Sequence, residues 1–130
     1  MPVDAAAGLP LPVVDGCTLE DEVRRALRLI EERKAVSERA SEQMLEILHD
    51  QRFRSGIPAG LPEDTRVAHK TGEMSTVAHD AGIVYPSERA PYVVVILTEW
   101  QPDRSGRQTA IASLSRAVYQ HVTARDDHAG

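Results

Sequence analysis

Cysteine occurs once in the 130 residues, asparagine not at all, lysine twice, and phenylalanine and tryptophan once each. With Cys17 alone, neither an internal disulfide nor a thiolate metal cluster can form. Cys17 sits in a stretch rich in Pro, Gly and Ala and reads as a tolerated thiol, because a reactive one needs an electropositive setting. Scarce aromatics leave the core to Val, Ile, Leu and Ala. No apolar run approaches the roughly 18 residues of a membrane span. The start, Met1 to Asp15, has no basic segment and its apolar stretch is broken by prolines, so it does not read as a signal peptide. As written, the chain is expected in the cytoplasm. A net charge of −5 argues against nucleic acid as a partner, since phosphate binding needs a basic face.

What is present suits one folded domain, with 42% hydrophobic and 27% charged residues. Residues 1–17 read as an irregular lead-in, 18–124 as the domain and 125–130 as a polar tail. Thr18 and Asp21 resemble a capping box, opening a helix to about Arg33 with Leu19, Val23, Ala26, Leu27 and Ile30 at helical spacing. Ser37 caps a second helix whose apolar stripe is Ala40, Met44, Ile47 and Leu48, with Met44 read as core. Two Gly and two Pro make 54–65 a loop. The period then changes to two, and strands are expected at 66–72, 79–85 and 91–98. Val93 to Leu97 suits a strand covered on both faces. Short connections favour an antiparallel meander, and the first, Glu73 to Ala78, is long enough to shape a site. Ser105 and Gln108 form a capping box for a last helix striped by Ile111, Leu114, Ala117, Val118 and Val122. The layout is α+β: an antiparallel sheet of at least three strands with helices packed on it.

One stretch carries chemistry, His69-Lys70-Thr71-Gly72, at the end of the first expected strand. Lys-Thr-Gly on such a strand is one of the signatures of class A β-lactamases and penicillin-binding proteins. The segment IPAGLPEDTRVAHKTGEMSTVAHDAGIVYPSERAPYVVVILTE (57–99) resembles β-lactamase-like serine hydrolases along its length, and the flanking helices fall where that family has them. The resemblance spans about 18–124 and implies a partial β-lactamase/transpeptidase-like fold. It also implies that Lys70 and Thr71 bind the carboxylate of a β-lactam or similar small molecule. Gly72 would let the substrate approach, and the backbone N–H of Glu73 would be one oxyanion donor. No cofactor is implied. Family members are usually exported.

The departures matter as much. Only Glu31 and Val67 stand three residues before Lys34 and Lys70, so Ser-x-x-Lys is absent, and Ser-Asp-Asn needs an asparagine. The nucleophile, its N–H as second oxyanion donor and the deacylating acid are therefore unassigned, and no catalytic set is complete. Where many members carry an arginine, His79-Asp80-Ala81-Gly82 stands. None of the eight serines lies in Gly-x-Ser-x-Gly. Ser75, in the loop beside the cleft, has no visible base to activate it. His69, His79 and Asp80 could build a metal site if register allowed, but their spacing matches no zinc motif, and local hydrogen bonding of the two histidines is the favoured reading. The expected function is that of the C-terminal part of a β-lactamase-like hydrolase, inactive alone. The alternatives are a non-catalytic carboxylate-binding module and an interaction fragment. With the family's remaining strands missing, 91–98 would be an open edge, inviting self-association or a complementing chain.

Overall fold

The computed structural model describes residues 3–4, 9–10 and 19–129, with side-chain surroundings for 19–124. Two short strands, β1 (Val3–Asp4) and β2 (Leu9–Pro10), pair antiparallel within the lead-in. Cys17 and the Thr18 cap lie outside the described residues. Helices α1 (Leu19–Glu31) and α2 (Glu38–His49) follow, then a 3₁₀ turn (Ile57–Gly60). Strands β3 (Arg66–Glu73), β4 (Val77–Tyr85) and β5 (Tyr92–Glu99) form an antiparallel sheet in that order, and α3 (Arg107–Ala129) closes the chain. The α+β reading holds, with three helices and a three-stranded meander. α3 runs on to Ala129, into the tail expected to fray.

The sheet is covered on both faces, and alternation decides which residue goes where. Val67 of β3, Ala78 and Val84 of β4, and Val94 and Ile96 of β5 pack with Ile57 and Ile111 of α3. Ala68, Ala81 and Ile83 point the other way, onto Leu27 of α1 and Leu45 of α2. Tyr85 closes the second layer, its hydroxyl donating to Glu31 Oε2 at 2.9 Å. Burial and that carboxylate raise the phenol well above its usual range, so the bond persists across ordinary pH.

Two of the three predicted helix stripes, those of α2 and α3, are off by part of a turn. In α2, Ile47 is 73% exposed, Met44 only half-buried, and the inward residues are Ser41, Leu45 and Leu48. Ser41 is tolerated inside because its Oγ accepts from Ala35 N–H and reaches the carbonyls of Ala35 and Ser37. Ser37 does cap the helix, accepting from Ala40 N–H at 3.0 Å. In α3, Leu114 is 48% exposed and Ala117 also faces out, while Ile111, Ser115 and Val118 turn inward. Ser115 Oγ donates to Ile57 O at 2.9 Å.

The Ser105–Gln108 capping box does not form. α3 starts at Arg107, after Gly106 in the left-handed region, and Gln108 donates instead to Glu73. The first hairpin connection is also tighter than expected. β3 extends to Glu73 and β4 begins at Val77, leaving only Met74–Thr76. Met74 N–H closes this turn on Val77 O at 2.9 Å.

Candidate active site

β3 is an edge strand, so its backbone groups alternate between β4 and the outside. Met74 N–H bonds Val77 O and Gln51 Nε2 bonds His69 O from outside the sheet, which fixes the phase. His69, Thr71 and Glu73 therefore present their N–H and C=O away from β4. Lys70 Nζ donates to Thr71 O. Glu73, the residue expected to offer its N–H to an oxyanion, thus directs that N–H along the open edge. Lys70, Thr71, Gly72 and Glu73 line one concavity of about 440 Å³, together with Phe53, Ser55 and Gln108.

Glu73 is also held by its side chain. Arg107 Nη2 donates to Oε1 at 2.9 Å and Gln108 Nε2 to Oε2 at 2.7 Å. The same guanidinium bonds Met74 O at 2.7 Å and approaches Val77 O at 3.3 Å. The start of α3 thereby clamps the hairpin turn and neutralises Glu73. Among the residues lining the concavity, the charge left uncompensated is that of Lys70.

Gly72 differs in kind from the chain's other packed glycines. A Cβ at Gly72 would meet nothing within 4 Å, whereas one at Gly82 would lie 2.6 Å from His69 Cβ. His69 and Gly82 are opposite each other in a pair that shares no ladder bond, where strands approach closest. The chain's own packing therefore demands glycine at 82 and not at 72.

Behind the wall lies a fully buried pair. His69 Nδ1 and Asp80 Oδ1 are 2.8 Å apart, both side chains at 0% exposure. Asp80 Oδ2 accepts from Ile57 N–H at 2.9 Å. A carboxylate can bond Nδ1 only through a proton, so Nδ1 carries it, and Nε2 is buried with no hydrogen-bond partner. His79 points to the opposite face, three register steps away, and its Nδ1 accepts from Thr98 N–H at 3.1 Å. The two histidines do not converge on one ion, and each is bonded locally.

Ser75 sits at the hairpin tip, exposed, its carbonyl accepting from Asp103 N–H. Two site features escaped the sequence reading. Phe53 lies in a stretch without periodicity, and the Asp80–Ile57 bond joins residues far apart in the chain. Alternation along β3 and β4 could have placed His69 and Asp80 on one face.

These elements are those of a β-lactamase-type sheet and its C-terminal helix. The model of the β-lactamase enzyme family matches residues 17–122, and the chain belongs to that family. It is 37% identical over 73 residues to a β-lactamase of Kitasatospora aureofaciens, covering 54% of this chain and 24% of that protein. Among solved structures it resembles PBP-A (TM-score 0.74, 26% identity, covering 78% of this chain and 38% of that one). A β-lactamase from Sphaerobacter thermophilus matches at TM-score 0.71 and 29% identity, over 78% and 39% of the two chains. The reconstructed class A β-lactamase of the last common ancestor of Gram-negative bacteria matches at 0.71 and 31%, over 82% and 42%. The chain thus spans about two fifths of these structures and a quarter of the curated relative.

Proposed function

We propose that this chain is the C-terminal part of a β-lactamase-like serine hydrolase and supplies its carboxylate-binding wall. Lys70 offers charge, Thr71 its hydroxyl, Gly72 clearance, and Glu73 N–H one oxyanion donor. The observation that carries this reading is Gly72. It is a glycine that the chain's packing does not need, beside the one uncompensated cation of the concavity.

Titrating the protein with benzylpenicillin, followed by backbone amide shifts, tests it. Shifts should centre on Lys70–Glu73. Lys70→Ala should weaken binding about tenfold or more, as expected for a charge-assisted hydrogen bond. Gly72→Ala should weaken it at unchanged stability. Binding that ignores both substitutions would remove the wall from this role.

Lacking Ser-x-x-Lys and Ser-Asp-Asn, the chain alone forms no acyl-enzyme in this reading. Its intact mass should be the same before and after incubation with penicillin, and a one-to-one mass gain would overturn that. If binding occurs without acylation even in the presence of a complementing chain that carries Ser-x-x-Lys and Ser-Asp-Asn, the non-catalytic carboxylate module becomes the better reading.

The partner reading rests on β5. Trp100 N–H bonds Thr76 O, so Val93, Val95 and Leu97 direct their backbone groups away from β4, and β5 ends the sheet among the described residues. The chain as given should self-associate through this edge. Light scattering should show a dimer or larger in the tens-of-micromolar range. Val95→Pro, which deletes an outward N–H, should return it to monomer. A wild-type monomer throughout would count against the edge.

A further inference from the structure

Phe53 is the chain's only phenylalanine, it is 70% exposed, and it lines the same concavity as Lys70 and Gly72. Left bare, its ring forgoes the stabilisation that burial of so large an apolar side chain brings. The segment that carries it is nevertheless anchored on both sides. Two residues before it, Gln51 Nε2 bonds His69 O at 3.3 Å; four residues after it, Ile57 N–H bonds the buried Asp80 at 2.9 Å. Both anchors lie on the sheet that carries Lys70, so the segment bearing Phe53 is tied to that sheet on either side of the ring. The concavity thus combines one cation, one apolar ring and the open space over Gly72.

We propose that Phe53 sets specificity at this site: the ligands it favours are carboxylates bearing an aromatic or bulky apolar group, which packs on the Phe53 ring while Lys70 holds the anion. This rests on the carboxylate-binding reading of the wall and adds the chemistry of the group attached to the carboxylate.

The test compares 3-phenylpropionate with propionate, which share the anion and differ in the ring. Amide shifts are followed in the wild type, Phe53→Ala and Lys70→Ala. An exposed position makes Phe53→Ala tolerable to the fold, which circular dichroism verifies. The wild type should bind 3-phenylpropionate at least about fivefold more tightly than propionate. In Phe53→Ala that preference should fall below about twofold, with propionate binding unchanged, and Lys70→Ala should weaken both ligands together. Equal binding of the two ligands by the wild type, or a preference that survives Phe53→Ala, overturns the role of Phe53 while leaving the wall intact. If neither ligand binds, or Lys70→Ala changes nothing, the carboxylate reading itself fails and takes this proposal with it.

Discussion

Replacing Asp80 with alanine is expected to cost about 3–5 kcal/mol, because it removes two buried hydrogen bonds to a carboxylate, each worth roughly 1.5–3 kcal/mol. That is a large share of the roughly 5–15 kcal/mol that stabilises a typical domain. At about 4 °C per kcal/mol for a chain of this length, melting should fall by about 12–20 °C. The carboxylate holds two donors at 0% exposure, His69 Nδ1–H and Ile57 N–H, and alanine would strand both without water. Asp80→Asn should be milder. Its amide oxygen can still accept from Ile57 N–H, and its NH₂ can donate to Nδ1 once His69 shifts its proton to Nε2. The second effect is local. Ile57 N–H should exchange with solvent much faster in Asp80→Ala than in Asp80→Asn, because the bond tying the 3₁₀ turn to β4 is gone. Calorimetry and amide exchange together decide the matter. A melting temperature within about 2 °C of wild type for Asp80→Ala would mean that the pair does not hold the turn to the sheet.

The sheet was legible from the sequence because its signal is a period of two with β-branched residues. Val93 to Leu97 alone nearly defines β5. Helices α2 and α3 were harder to phase, and for the same reason. Ser41 and Ser115 occupy inward positions that hydropathy assigns to solvent, because each hydroxyl bonds a carbonyl within reach. Once a serine is counted as inward, the face in α2 is Ser41, Leu45 and Leu48, and Ile47 moves outside. Gln108 misled differently. Its spacing from Ser105 suits a cap, but a carboxylate across the fold competes for its amide, and Glu73 wins.

Of the candidate site, Lys70, Thr71, Gly72 and Glu73 were nameable from a motif, and the structure brings them onto one concavity with Phe53 and Gln108. What no local pattern could show is how the wall is held. The bonds from Arg107 to the hairpin span 30 or more positions, and the Asp80–Ile57 bond spans 23. Such contacts depend on the sheet register, which the three-residue turn Met74–Thr76 sets. The expected strand ends, Gly72 and His79, already face each other in this register, with His69 opposite Gly82; what stayed hidden is the reach of Asp80 from that face to Ile57.

Gly60→Ala is expected to cost about 3 kcal/mol or more, at or above the usual range for overpacking. A Cβ at Gly60 would stand 2.1 Å from Ala112 O and 2.9 Å from Arg116 N, both backbone atoms of α3. A flexible side chain could swing away from such a contact, but a helix backbone can relieve it only by moving as a unit. Lifting α3 from the 3₁₀ turn would loosen Ile111, fully buried between them, and the Ser115–Ile57 bond. It would also draw the start of the helix, with Arg107 and Gln108, away from Glu73. One methyl group outside the lining of the concavity should therefore reach the candidate site, and Glu73 and Met74 amides should exchange faster in Gly60→Ala. Urea unfolding gives the energetic half of the test, with a lower midpoint at an unchanged slope. Gly72→Ala is the control, since the same added methyl meets open space there and should shift stability by less than about 1 kcal/mol. If the two substitutions were equally harmless, α3 would not rest on Gly60, and its clamp on the hairpin would need another support.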